Sequence, residues 1–272
     1  MTRRLAIHIG AQKCASSSLQ ASLRLFQNSC KDNSFSFVFL NPAQLRSLSN
    51  ALTQKTESPF RYIDRILSEL TADFSVISHE MLGNRPALVQ AIARRAVKHH
   101  GFEHIVVVGY TRLQSSYHVS AFKQWFFRDR KKLREDIAVL KNYDLSWRKF
   151  SALERSLLAL ALVGKDRSWH ANYKKFAAGC TSLSPQMTLA SNHIPTKQNP
   201  YMLLEDFFKL SGFECRDDLS VFDVRKNVSF HPAVVHALSS HFSSLGPRLS
   251  CFPGPHEGNR WLFRVCKRLD DA

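Results

Sequence analysis

No window of this chain approaches the ~18 consecutive apolar residues that a membrane-spanning helix needs, so no span is expected. The start, Met1-Thr2-Arg3-Arg4, is basic, yet the apolar run behind it is Leu5-Ala6-Ile7 and stops at His8. That run is too short for the apolar core of a secretory signal. The sequence thus predicts a cytoplasmic protein, or a luminal domain stripped of its anchor. The six cysteines (Cys14, Cys30, Cys180, Cys215, Cys251 and Cys266) form no CxxC pair and no zinc-finger spacing with the 12 histidines. Free thiols in a reducing compartment are the plain reading, and no metal site is expected. There is no internal repeat, no low-complexity tract and no strong linker, which argues against a repeat architecture. Acidic residues are scarce: 22 Asp+Glu stand against 38 Lys+Arg, a formal charge of +16. Such an excess suits polyanionic partners, whether nucleotide, acidic glycan, nucleic acid or anionic lipid, without choosing among them.

What is present is ample core material. Of 272 residues, 44% are hydrophobic and 20 are Phe. Apolar runs alternate with helical patterns, which predicts an α/β fold: a central parallel sheet with helices on both faces, in three layers. Strands are expected at Leu5 to Gly10, Phe35 to Leu40, Phe74 to Ser78 and Ile105 to Tyr110, and a last one at Met187 to Ala190. Helices are expected at Ser17 to Asn28, Arg61 to Leu70, Pro86 to His100 and Ser115 to Arg128. From about Leu133 the pattern is mostly helical: Phe150 to Val163, Arg167 to Ala178, Tyr201 to Leu210, Pro232 to Phe242 and Arg260 to Leu269. A single domain results, with residues 1–130 as its α/β core and 131–272 as a helical flank.

The densest chemistry lies at Leu5-Ala-Ile-His-Ile-Gly10-Ala-Gln-Lys13-Cys-Ala-Ser16-Ser17-Ser18-Leu-Gln20. It reads as a buried strand, a tight turn and a helix start. Backbone N–H groups at a helix start point outward and the helix dipole favours negative charge there, so the order builds a pocket for a phosphate-like anion. Lys13 adds a full charge, and the three serines add donors. The turn is not a Walker A motif, because that needs a glycine directly before the lysine and a Ser or Thr directly after it.

The spacing resembles the 5′-phosphosulfate loop of sulfotransferases that use 3′-phosphoadenosine 5′-phosphosulfate (PAPS), where Lys-Thr-Gly-Thr-Thr is common and a Ser-Leu-Gln helix start often follows. Cys14 and Ala15 replace the Thr and Gly. Since Ala disfavours φ > 0 where Gly does not, Ala15 suggests that no positive φ is needed there. A second resemblance follows the fourth strand. In Tyr110-Thr-Arg112-Leu-Gln114-Ser-Ser-Tyr-His-Val-Ser120-Ala-Phe122-Lys-Gln124, the Arg and a Ser eight residues on are similar to the 3′-phosphate segment of bacterial members, Leu-Arg-Arg-Gln-Asp-x-x-x-x-Ser-x-Tyr-x-Gln. Leu113 stands for the second Arg and Ser115 for the Asp. Late in the chain, Arg225-Lys226-Asn227-Val-Ser229 resembles the family's Asn-x-Ser segment.

The resemblance implies a P-loop-like sulfotransferase fold and a donor site made of Gln12, Lys13, Cys14, Ala15, Ser16, Ser17, Ser18, Arg112 and Ser120, with Arg225 and Lys226 closing over the nucleotide. It implies in-line transfer of a sulfuryl group from PAPS to an acceptor hydroxyl or amine, releasing 3′-phosphoadenosine 5′-phosphate (PAP), with no metal required. Lys13 would neutralise the leaving 5′-phosphate. The family's base is a His or a Glu; His79 and Glu80, after the third strand, are the candidates, Glu80 ahead. His8 and His118 lie near the motifs and read as structural. An acidic saccharide is one acceptor that a basic surface suits, and no nucleic-acid partner is expected. Asn41 to Phe60 and Arg128 to Arg148 are expected as rim loops that set acceptor choice.

Three rivals stand beside this reading. A P-loop kinase would want a Walker A glycine and a strand-end acid, but Tyr110-Thr111-Arg112 closes the best strand without one. A non-catalytic polyanion binder is permitted by the charge and by Trp125-Phe-Phe-Arg-Asp-Arg-Lys-Lys132, although no nucleic-acid module is visible. A sulfotransferase that binds PAP without turnover is the third.

Overall fold

The computed structural model describes residues 2–10, 14–30, 34–53, 58–111, 130–146, 149–150, 152–162, 169–181, 186–193, 200–215, 218–222 and 224. The chain divides into two compact units: Met1–Leu113 with Ser168–Asn227, and Gln114–Arg167 with Val228–Ala272.

The first unit is built on five strands, β1 (Arg4–His8), β2 (Phe35–Phe39), β3 (Phe74–Ser78), β4 (His104–Thr111) and β5 (Met187–His193), in the order β2-β3-β1-β4-β5. Every pair is parallel. Parallel strands need helical crossovers that cover both faces, so their sequences read as continuous apolar runs. Val106, Val107 and Val108 in β4 and Val76-Ile77 in β3 follow that rule.

Alternation along each strand sorts the core into two layers. Leu5, Ile7 and Ile9 pack on one face with residues of α2 (Pro42–Thr53), α3 (Ser58–Ser68), α4 (Pro86–His100) and α7 (Trp169–Thr181), among them Leu48, Ile66, Ile92 and Phe176. Ala6, Val108 and Tyr110 pack on the other with α1 (Ser16–Ser29) and α8 (Pro200–Ser211). The sheet between two helical layers is the expected three-layer α/β/α architecture. Part of the Phe surplus fills the second layer, where the rings of Phe35 and Phe208 both lie 5.0 Å from that of Phe26.

Helix signals explain the bounds. α4 starts with Pro86 in its first turn and ends at Gly101, whose φ of 67° is the left-handed cap that glycine favours. The expected rim loop at Asn41 to Phe60 is a correction: Pro42–Thr53 is α2 and Ser58 begins α3. Asn41 and Gln44 form a reciprocal cap, the Asn41 amide donating to Gln44 Oε1 at 2.8 Å and the Gln44 amide to Asn41 Oδ1 at 2.9 Å. Pro42 thus opens a helix instead of only closing a strand.

In the second unit, α5 (Arg130–Asn142) and α6 (Ala152–Leu162) pack together, so the other expected rim, Arg128 to Arg148, is also largely helical. Tyr143 Oη donates to the Leu162 carbonyl at 3.0 Å, closing that hairpin. Among the described residues, no helix is long and apolar enough to cross a membrane.

Candidate functional site

In open parallel sheets, ligands sit at the carboxyl ends of two neighbouring strands whose connections leave on opposite faces. β1 and β3 are such a pair. They are neighbours in register, His8 opposite Ser78. β1 leads into α1 in one layer, and β3 leads through a 3₁₀ turn (Glu80–Asn84) into α4 in the other. The strands stay joined to their ends, with the His79 amide donating to the His8 carbonyl at 3.3 Å.

α1 begins at this point in an unusual way. Its N-cap is Ala15 at φ 56°, ψ 17°, in the left-handed region, with no side-chain cap. The expectation that Ala15 avoids a positive φ is therefore corrected: alanine adopts the left-handed conformation here, at a cost that glycine would not incur. The Ala15 carbonyl accepts from the Ser18 and Leu19 amides at 2.9 and 3.0 Å, so the Ser18 amide is engaged within the turn. No acidic residue lies in the first turn of the helix itself, where the helix dipole is positive. Ala15→Gly is expected to raise the unfolding free energy by about 1 kcal/mol. Denaturant unfolding of the two proteins checks this, and an unchanged midpoint would contradict the left-handed cap.

The serines divide by position. Ser16 and Ser18 are buried, 3% and 7% exposed, whereas Ser17 is half-buried. Ser17 therefore offers the more open hydroxyl. Cys14, 1% exposed, packs in the α1–α8 layer with Leu19 and Tyr110, which makes it a core thiol.

Of the two base candidates, His79 has a structural task. It caps the 3₁₀ turn, its Nδ1 accepting from the Met81 amide at 2.9 Å, and it stacks on Phe39 with ring centroids 5.5 Å apart. Burial, and then the Arg85 charge, lower its pKa below the ordinary histidine range. Glu80 lies in the first turn of that 3₁₀ segment and is partly exposed. Gly83 brings the segment against β1, since a Cβ there would stand 2.6 Å from the Ile9 carbonyl oxygen.

Sequence reasoning set His8 aside, and the structure gives it a polar network. His8 is completely buried, with Nδ1 2.7 Å from Ser78 Oγ. Gln20 Nε2 donates to the same Oγ at 3.1 Å. The signal was a histidine inside an apolar strand, two residues before a glycine on the same face. Burial drives the His8 pKa down to about 3, with the nearby His79 adding to the effect. A group depressed in this way stabilises the fold above its unfolded pKa of ~6.5, and that stability is lost as pH falls toward the folded value. From His8 alone, stability is expected to drop by about 1.4 kcal/mol per pH unit below pH ~6. Urea unfolding between pH 7 and 4.5 measures the slope, and a flat profile would contradict the buried neutral ring.

A cavity of about 330 Å³ adjoins the 3₁₀ turn, lined by Ser49, Leu52, Met81, Asn84, Arg85 and Leu88 among others. Gln12, Lys13, Arg112, Ser120, Arg225 and Lys226 lie outside the described residues, as do the expected helices at Ser115 to Arg128, Pro232 to Phe242 and Arg260 to Leu269. Among the described residues, no group of three or more His, Cys, Asp or Glu side chains is placed to hold a metal ion. In comparisons with known proteins, no family model matches the chain and no curated protein is significantly similar to it.

Proposed function

We propose that the protein is a sulfotransferase that carries a sulfuryl group from PAPS to an acceptor hydroxyl or amine, on a P-loop-like form of the α/β fold. The observation that carries the reading is the left-handed Ala15 at the start of α1. It occupies the position where the loop that this sequence resembles has glycine, and it follows the strand at which the sheet connections diverge. The backbone performs what the family's glycine permits, although the residue is different.

In this reaction an acceptor oxygen or nitrogen attacks sulfur, the bond from sulfur to the 5′-phosphate oxygen breaks, and PAP leaves. The acceptor's proton passes to a base. Lys13 and the first amides of α1 hold the 5′-phosphate and offset the charge that develops on it. Glu80 is the favoured base: it is partly exposed, while His79 Nδ1 is occupied by the Met81 amide. Arg112 directly follows β4 in sequence and is assigned the 3′-phosphate, for which a bidentate guanidinium is suited. The cavity beside the 3₁₀ turn supplies one arginine and apolar walls for an acceptor, and the net charge of +16 suits an acidic saccharide.

Arg112→Ala tests the 3′-phosphate assignment. PAP affinity is expected to fall about 10- to 100-fold, the range for losing a charge-assisted contact, while 5′-AMP affinity stays the same. Equal losses for both ligands by calorimetry would overturn the assignment.

A further inference from the structure

β1 carries one polar side chain into an apolar wall. His8 lies edge-on to Tyr110 and Phe207, with ring centroids 6.1 and 6.0 Å away. Its network favours one position for the ring proton. An amide nitrogen such as Gln20 Nε2 can only donate, so Ser78 Oγ accepts from it. Among the described residues, His8 Nδ1, 2.7 Å away, is the acceptor left for the Ser78 hydroxyl hydrogen. A neutral imidazole that accepts at Nδ1 bears its hydrogen on Nε2. That Nε2 is buried and has no hydrogen-bond partner among the described residues.

A buried donor without an acceptor is rare and costly, and it points to a partner that arrives later. Its direction is given by Gly10. A Cβ on Gly10 would stand 2.5 Å from His8 Nε2 and 2.5 Å from Ser16 Oγ. The unpaired donor, the glycine and the first residue of α1 therefore meet at one place. That place is the N-terminus of a 14-residue helix whose first turn has no acidic residue.

We propose that His8 is an anion ligand, its Nε2–H donating from beneath the start of α1 to one oxygen of a tetrahedral oxyanion, a phosphate or sulfate group, bound there. The inference rests on reading this turn as an anion site, and it does not require the anion to belong to a nucleotide. A neutral donor adds a directed bond without adding charge, and away from bulk water such a bond is stronger than at the surface. Gly10, lacking a Cβ, is what lets the end of β1 lie this close to Nε2 and Ser16 Oγ.

The test is nitrogen and proton NMR of ¹⁵N-histidine-labelled full-length protein, titrated with inorganic phosphate and with PAP. The His8 signals are assigned by their loss in His8→Asn, which retains an acceptor for Ser78 and deletes the Nε2–H. The Nε2 proton is expected to move downfield and to saturate with binding, and His8→Asn is expected to bind the anion about tenfold more weakly. If that variant does not fold, Ser78→Ala replaces it: it frees the tautomer and is expected to weaken anion binding too.

An Nε2 signal that responds to both ligands supports the proposal. PAP binding that depends on Lys13 while Nε2 stays unmoved overturns it and leaves the nucleotide reading standing. A response to phosphate with no gain in affinity for PAP supports His8 and sinks the nucleotide reading. Binding of neither overturns both.

Discussion

Gly83→Ala is expected to destabilise the first unit by about 2–3 kcal/mol, the upper part of the range for overpacking a closed core. The added methyl would stand 2.6 Å from the Ile9 carbonyl oxygen. That oxygen is backbone and cannot rotate aside. Relief requires moving either β1's exit or the 3₁₀ turn at Glu80–Asn84, and both belong to the proposed site. For a unit of this size the loss corresponds to a fall in Tm of about 5–10 °C. Calorimetric melting of the variant checks it. An unchanged Tm would show that the turn does not press on β1, and Glu80 would lose its placement beside the loop.

Lys13→Ala carries the largest functional effect. The reading gives Lys13 the only full charge in the turn from Gly10 to Ser18, placed against the phosphate that leaves. Losing a charged contact costs about 1.5–3 kcal/mol in binding, so PAP affinity is expected to fall roughly 10- to 150-fold. The fold should be unaffected, so Tm should stay within a degree or two. Both ligands of the 5′-phosphate class, PAP and 5′-AMP, should weaken together, in contrast to Arg112→Ala, where only PAP suffers. A Lys13→Ala protein that binds PAP like wild type would remove the lysine from the site.

The parallel sheet was legible because β-branched apolar runs leave few alternatives. Phe74–Ser78 and Pro86–His100 have the bounds that the sequence predicts. α4 was readable because Pro86 and Gly101 mark its two ends. α2 was not, although Asn41-Pro42-Ala-Gln44 carries a complete capping signature. A proline after a strand ends that strand and is equally a first helical residue. Ala15 misled for a different reason. Propensity says that alanine avoids φ > 0, yet Ala15 holds a φ of 56° at the start of α1. Local preference of about 1 kcal/mol loses to tertiary packing.

His8 was the least legible feature. Its partner Ser78 lies 70 residues away, and only the register of β1 on β3 brings the two together. Periodicity could place His8 on the face of Ala6 and Gly10, but it could not say that Ser78 and Gln20 converge on one oxygen. Glu80 and His79, by contrast, are sequence neighbours whose roles divide once the 3₁₀ turn is seen: one caps it and the other remains partly exposed.

The most direct test of the central claim is calorimetric titration of the wild-type protein with PAP and with ATP, each with and without magnesium. A P-loop-like sulfuryl-transfer site should bind PAP tightly without metal, bind ATP much more weakly, and gain nothing for PAP from magnesium. A magnesium-dependent preference for ATP, or equal weak binding of every polyanion, would contradict the account.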